Sequence, residues 1–205
     1  LQVDAVIQPE ISTSVQPQAF RTRLMLKPSQ INLGTWTRQT PQKSPITGAT
    51  EVGAPRTIQE TQSVQDFLQH TSWTPTAAGG WALAISIRSP QAYALRLGVE
   101  VTSLPSTATL RVYSQGNPSE VYETSGQNIL EILQNNRLAG EEGRAAHTWW
   151  TPEIQGEEAT LEIELPPGTE RDLVQIAIPR LVHIYEDIFS LQGVDGVSFD
   201  RNAAS

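Results

Sequence analysis

The sequence predicts a mainly β protein: an antiparallel β-sandwich, jelly-roll-like, with one or two short helices and an extended N-terminal arm. Apolar and polar residues alternate along residues 81–88 and again along residues 93–101, which is the period of a strand with one buried face. Turn signals of Pro, Gly and Asn separate these runs from further short runs of the same kind. About seven or eight such strands in one chain are typical of a β-sandwich.

The strands at residues 81–88 and 93–101 are expected to hold the core. Their apolar side chains share one parity, while Arg88, Arg96 and Glu100 are expected to stay in water on the other face. The chain has 205 residues, of which 38% are hydrophobic, so it is long enough for one core and an appendage.

Residues 1–56 are predicted to form an extended arm and linker. They are rich in Gln, Thr, Ser and Pro, and their short apolar pieces bury too little area to offset the entropy of ordering them, although such a piece can add an edge strand. Residues 57–189 are predicted to form the sandwich domain. It opens with a lid helix over about residues 58–69, because the sequence after Thr57 has capping-box spacing. Residues 190–205 are predicted to be a tail that leads to a downstream domain.

The other elements follow the two central strands in order. A second helix is predicted where apolar residues recur at helical spacing in residues 129–133, behind Asn128 as its N-cap. Further strands are predicted at residues 108–113, 120–123, 147–152, 160–165, 173–178 and 181–185.

Charge is distributed unevenly along the chain. Residues 1–75 hold six basic and five acidic side chains (+1), whereas residues 76–205 hold eight Arg and seventeen acidic side chains (−9), which together give the net charge of −8. An acidic body argues against a nucleic-acid partner, because phosphate binding depends on Lys and Arg. No apolar run approaches the roughly 18 residues of a membrane span. The sequence therefore predicts neither a nucleic-acid partner nor a membrane span.

The residue types that carry catalysis or metal binding occur here without a recognisable spacing. His70, His147 and His183 lack metal-ligand spacing, and the sequence contains no Cys. Glu162 and Glu164 are candidates for paired carboxylates or a calcium site. Because they alternate with apolar residues, they are expected instead to point to solvent from the outward face of a strand. We therefore expect no catalytic, cofactor-binding or metal-binding residues.

Trp149, Trp150, His183 and Phe199 are the predicted partner-binding residues. Adjacent residues of a strand face opposite ways, so one of Trp149 and Trp150 is expected in the core and the other at the surface, where it packs under a loop or stays exposed. An exposed Trp could stack on a sugar or anchor a protein partner. His183 is expected at the surface or in a hydrogen bond, and Phe199 lies in the predicted tail.

Six short motifs occur in order across about residues 79–186. They read GWALAISIRSPQA, LRL, LP, LRVY, WWTPEIQG and LEIELP. This order resembles the non-catalytic N-terminal pro-region of bacterial secreted trypsin-like serine proteases of the lysyl-endopeptidase type, with His183 matching a His that precedes the junction there. The sequence departs from that pattern at Gln91, which stands in place of the usual Gly, and at Trp149, which stands in place of Phe.

The resemblance implies a secreted or periplasmic protease precursor of which this chain is a non-catalytic part. It implies that the partner is a downstream serine protease domain, whose folding this region assists or whose activity it restrains, and that the chain by itself is not an enzyme. The alternative is a free-standing β-sandwich module that binds a carbohydrate or a protein through an exposed Trp149 or Trp150.

Overall fold

The computed structural model describes residues 26–36 and 53–185, which form eleven strands in two sheets. The first sheet has the order β1 (Ser29–Asn32), β4 (Trp81–Arg88), β10 (Glu158–Leu165), β6 (Thr109–Ser114) and β7 (Asn117–Ser125), with β3 (Thr74–Pro75) also paired to β4. The second sheet has the order β2 (Gly53–Thr57), β11 (Gln175–Ile184), β5 (Ala94–Ser103) and β8 (Thr148–Trp150), with β9 (Ile154–Gln155) also paired to β5. The predicted mainly β sandwich is thus confirmed.

The core lies between the two sheets. Alternate side chains of β4 and β10 meet those of β5 and β11 in one apolar cluster, and these side chains are fully buried. They include Leu83, Ile85, Leu97, Val99, Leu161, Ile163, Ile176 and Leu181.

The strands β4 and β5 follow each other in the chain but lie in opposite sheets. A turn at residues 89–93 carries the chain from one sheet to the other. The apolar side chains of β4 and β5 therefore face the same core from opposite sheets. The strand β4 also differs from the expected half-buried strand, because Ala82, Ala84 and Ser86 on its other face are buried as well. Leu26 packs against the two alanines, so small side chains on this face leave room for a covering segment.

Two strands lie within the predicted arm. The strand β2 pairs antiparallel with β11, and β1 pairs parallel with β4, the one parallel pairing among the described residues. Ile31 of β1 is buried in the core. The boundary at residue 57 stays a prediction, but the sheets begin upstream of it. The backbones of β1 and β2 pair with β4 and β11, and the composition of residues 1–56 gives no sign of these pairings.

The first helix begins later than predicted. Gln59–Thr61 is a 3₁₀ turn, and the helix α1 covers Val64–Gln69. Its N-cap is Ser63, whose Oγ accepts from the backbone N of Asp66 at 3.2 Å while the Asp66 carboxylate accepts from the backbone N of Ser63 at 3.1 Å. The hydroxyl of Thr61 donates to the carbonyl of Ile178 at 2.7 Å, which ties the 3₁₀ turn to β11.

Two further boundaries are corrected by the structure. The helix α2 covers Gly126–Leu138 and is capped by Ser125, whose Oγ accepts from the backbone N of Asn128, the residue predicted as the cap. A short helix α3 (Gly143–Ala146) follows it. The two strands predicted at 173–178 and 181–185 are one strand, β11, with a register shift between Ala177 and Arg180. This irregularity accommodates Pro179, which has no N–H for a ladder.

Gln91, which departs from the family-like pattern, lies in the turn between β4 and β5 with a φ of 68°. This left-handed conformation costs a non-Gly residue about 1–2 kcal/mol. We expect Gln91→Gly to raise the free energy of unfolding by about 0.5–1 kcal/mol, because glycine relieves the strain at some cost in unfolded-state entropy. Urea denaturation measures the change. Gln175→Gly, at a strand residue with ordinary φ, is the control and should lower the same quantity.

Candidate partner-binding surface

A groove opens along one side of the sandwich, between the edges of the two sheets. The strand β7 is the last strand of the first sheet, and residues 152–156 follow β8 at the edge of the second. Tyr122 pairs with Val112, whose side chain is in the core, yet 40% of Tyr122 is exposed. An inward-facing residue that remains exposed shows that the sheets do not close here. We call this opening the lateral groove.

The lateral groove has a volume of about 890 Å³. Its walls are β7 from Asn117 to Tyr122 on one side and residues 152–156 on the other. Glu120 and Glu153 line it and are exposed, whereas Ile154 at its base is buried. Among the described residues that line it, none is Lys or Arg. The groove is therefore a cleft with an acidic rim.

Next to the lateral groove, the helix α2 covers the gap between the two sheets, because it contacts both β7 and β8. Its inner face, with Ile129 and Leu133, is buried in the core. Ile132 is 39% exposed and lies with Tyr122 and Trp150 around a smaller depression that continues the lateral groove. A depression with several apolar residues, which Arg96 also lines, thus adjoins the acidic cleft.

The two adjacent Trp residues do face opposite ways. Trp149 is 3% exposed and belongs to the core, so it is the inward-facing one of the pair, and its part in partner binding stays a prediction. Trp150 is half-buried on the outer face of β8, where its ring lies across Gly98 and the guanidinium of Arg180 lies 5.2 Å from the ring centroid. Since its ring is engaged by Arg180 and the neighbouring strand, it does not form an open platform for a sugar. The structure gives glycan binding no support.

His183 lies next to the last residue of β11 and is buried, although a surface position was one of the expectations. It shares the inward parity of Leu181, and its Nδ1 is 2.7 Å from Oγ of Ser89. The guanidinium of Arg56 donates to the same Oγ at 2.7 Å. The hydroxyl hydrogen of Ser89 is then directed to Nδ1, which favours the neutral ring with its proton on Nε2. The predicted hydrogen-bonded alternative describes this residue.

Aromatic rings surround His183. The Trp36 ring centroid lies 5.1 Å from that of His183 and 5.7 Å from that of Tyr185, the latter in a stacked arrangement. Arg56 donates to the carbonyl of Leu33 at 2.8 Å, which holds the segment carrying Trp36. This exit cluster, defined by Trp36, Arg56, Ser89, His183 and Tyr185, fixes the point at which the chain leaves β11.

A Ser–His contact of this kind invites comparison with a nucleophile and its base. Ser89 is fully buried, and its oxygen accepts from the positively charged Arg56. A nucleophilic serine needs an accessible oxygen and a base that can take its proton. Burial lowers the pKa of His183, the nearby charge of Arg56 lowers it further, and Glu157 opposes them weakly. The pair is suited to holding the exit cluster together rather than to covalent chemistry.

The pKa of His183 predicts how stability depends on pH. Because its pKa in the folded protein lies below the value of about 6.5 of an unfolded chain, the unfolded state binds more protons as the pH falls below that value. We expect the free energy of unfolding to fall by up to about 1.4 kcal/mol per pH unit below pH 6.5 from this residue. Denaturant titrations between pH 7.5 and 5 measure it. His183→Gln should flatten that part of the profile.

A buried ion cluster lies on the outer face of the first sheet and corrects the expectation that Glu162 points to solvent. Glu162 is fully buried, with Nη1 of Arg111 at 3.3 Å and the hydroxyl of Tyr113 donating to it at 3.0 Å. Arg111 also contacts Glu164 at 2.7 Å and Glu123 at 2.5 Å. Burial by itself lowers the pKa of Arg111, but the hydrogen bonds to Glu164 and Glu123 outweigh it, so the pKa is raised.

The other candidate residues have simpler outcomes. Phe199 lies outside the described residues, so its role stays a prediction. No group of three His, Asp or Glu side chains in residues 26–36 and 53–185 is placed to hold a metal. No helix in these two stretches is long and apolar enough to span a membrane.

Sequence reasoning missed the lateral groove. The run Glu120–Glu123 was predicted as a short strand, and nothing in its four residues marks which side of the strand is unpaired. Acidic side chains at both ends of a short strand, here Glu120 and Glu123, are a feature of sheet edges, and this was the available signal in the sequence.

Comparisons with known proteins bear on what these surfaces belong to. The family described as Lysyl endopeptidase N-terminal domain matches residues 25–185. A curated protein from Pseudomonas aeruginosa, "Lysyl endopeptidase", is 27% identical over 128 residues, which are 62% of this chain and 23% of that protein. The match thus spans about a quarter of the relative's length. No solved structure matches.

Proposed function

Because this chain belongs to the lysyl endopeptidase N-terminal domain family, we propose that it is the non-catalytic N-terminal region of a secreted or periplasmic serine endopeptidase precursor. Its role in that precursor is to assist the folding of a downstream protease domain or to restrain its activity. The partner is accordingly a protease domain, and the contact is made by protein surfaces, without a cofactor.

The observation that carries this proposal is the coincidence of the family match with the sandwich. The match runs from residue 25 to residue 185, and the described body runs from Leu26, just before β1, to Tyr185, just after β11. The family is therefore defined by the whole two-sheet unit and not by one motif within it. A matching relative that is much longer than the aligned region supports a unit that works beside another domain.

Two surfaces of this unit suit a role beside a protease domain. The lateral groove offers an accessible cleft with Trp150 and Tyr122 nearby, and the exit cluster places His183 and Tyr185 where the chain leaves β11. We propose Trp150 as a contact residue, His183 as a residue that positions the exit and Phe199 as a contact in the following segment. Trp149 supports Trp150 from the core.

The experiment compares a precursor with and without residues 25–185. If the region assists folding, its deletion should lower the yield of active protease by at least about tenfold, and supplying the 205-residue chain in trans should restore it. If it restrains the enzyme, the purified chain should inhibit the mature protease in a saturable way. Because the chain is acidic, either association should weaken as salt rises.

The result that overturns the proposal is equally definite. An unchanged yield after deletion, together with no association or inhibition at high micromolar concentration, would leave the free-standing protein-binding module. Peptide hydrolysis that copurifies with the 205-residue chain and scales with its concentration would contradict the non-catalytic assignment.

A further inference from the structure

We propose that the lateral groove binds an extended, basic segment that adds a strand to the free edge of β7. Resting on the proposed function, we assign that segment to the protease domain of the same precursor. The argument has three parts: the backbone of β7, the side chains around it and the charge of the rim.

The backbone of β7 has a free side. This nine-residue strand stands at the end of its sheet, and among the described residues its ladder partner is β6 alone. An edge strand presents a row of N–H and C=O groups that a second extended chain can pair with. The groove beside it, about 890 Å³, provides the space for the added strand.

The side chains of β7 supply an anchor point. Tyr122 faces the interior of the sandwich but is 40% exposed, since no described strand continues the sheet past β7. Ile132 of α2 is 39% exposed next to it. An added strand would cover both with alternate apolar side chains, because side chains alternate across a strand. Glu120 lies two residues before Tyr122 on β7 and shares its face, so a basic side chain that meets the acidic rim lies on the same face of the added strand as the apolar ones.

The rim selects the charge of the occupant. Glu120 and Glu153 are exposed on opposite walls of the lateral groove. A second copy of this chain would bring its own Glu120 and Glu123 against the same edge, and like charges disfavour such pairing. A segment carrying Lys or Arg is attracted instead. Charge therefore favours a basic partner segment over self-association.

The test uses the full 205-residue chain and amide hydrogen exchange of residues 117–125. The first probe is a synthetic peptide of about eight residues that carries both Val and Lys on one face and Thr at the alternate positions, long enough to span most of β7. It should slow exchange of the outward-facing β7 amides by about tenfold or more, since a hydrogen-bonded amide exchanges only on opening. The same peptide with Glu in place of Lys should give no protection. Equal protection by both peptides would overturn the charge assignment.

The second probe is the separately produced protease domain of the precursor. Tyr122→Ala and Glu120→Lys should each weaken its binding by about tenfold, because a central aromatic anchor and a rim charge are lost. Leu173→Ala and Glu170→Lys, at exposed residues outside the groove, are the matched controls and should bind like the unmodified chain.

The outcomes separate the two proposals. A complex with the protease domain that leaves the β7 amides unprotected overturns this inference and leaves the proposed function standing. Protection by the basic peptide without any complex with the protease domain overturns the proposed function and keeps the basic strand site. Protection of β7 in the isolated chain that rises with its own concentration, together with dimer formation, would identify a second copy as the occupant and overturn the inference.

Discussion

Replacing Arg111 by Leu is expected to lower the free energy of unfolding by about 3–5 kcal/mol. Arg111 is the one cation of the buried ion cluster among the described residues, and Glu162 in that cluster has no exposed surface. Without the guanidinium, this carboxylate stays buried beside Glu164 with one hydrogen-bond donor fewer. Leaving a buried charge uncompensated costs far more than the pair contributes when it is intact. Urea denaturation at pH 7 measures the difference.

The matched control is Arg88→Leu. Arg88 pairs with Glu157 at 2.9 Å, but both side chains are largely exposed, so this change should cost less than about 1 kcal/mol. Adding Glu162→Gln to Arg111→Leu should recover part of the loss, because it removes the stranded charge. Equal small losses for Arg111→Leu and Arg88→Leu would show that the cluster is hydrated in solution.

Replacing Phe67 by Ala is expected to lower the free energy of unfolding by about 3–5 kcal/mol. Phe67 is fully buried in the main core, and its helix α1 packs against β11. Truncation removes its transfer free energy and leaves a cavity that the surrounding strands cannot fill by collapsing. The measurement is the midpoint and slope of a denaturant titration.

The neighbouring residue provides the control. Leu68 on the same helix is 41% exposed, so Leu68→Ala should change the free energy of unfolding by less than about 1 kcal/mol. A loss for Phe67→Ala no larger than this would mean that α1 is only loosely attached to the sandwich.

Alternation predicted the strands well because it depends on local geometry alone. The runs at residues 81–88 and 160–165 lie within β4 and β10, with the apolar parity facing the core. Alternation says nothing about which strands become neighbours. That choice depends on crossings such as the turn at Gln91, which puts β4 and β5 into opposite sheets.

The candidate site was less predictable, for a related physical reason. Glu162 was expected in solvent because its parity is opposite to the core, but parity fixes only the face and not what covers it. His183 is buried because Ser89, far away in sequence, supplies its hydrogen-bond partner, and Arg56 donates to that serine in turn. The lateral groove lies where the edges of the two sheets do not meet. This depends on how the two sheets are placed against each other, which the sequence of a single strand does not reveal.

The place of β11 in the second sheet has a consequence for the order of events during biosynthesis. It lies between β2 and β5, so the register of residues 53–57 is set by residues 180–184, made well over a hundred positions later. Until this strand has emerged from the ribosome, β2 lacks its partner and β5 exposes a bare edge. Contacts of such separation form late, and unpaired edges are open to aggregation. A nascent chain must therefore wait for its last described strand, and chaperones that bind unpaired strands would act on it longest in that interval.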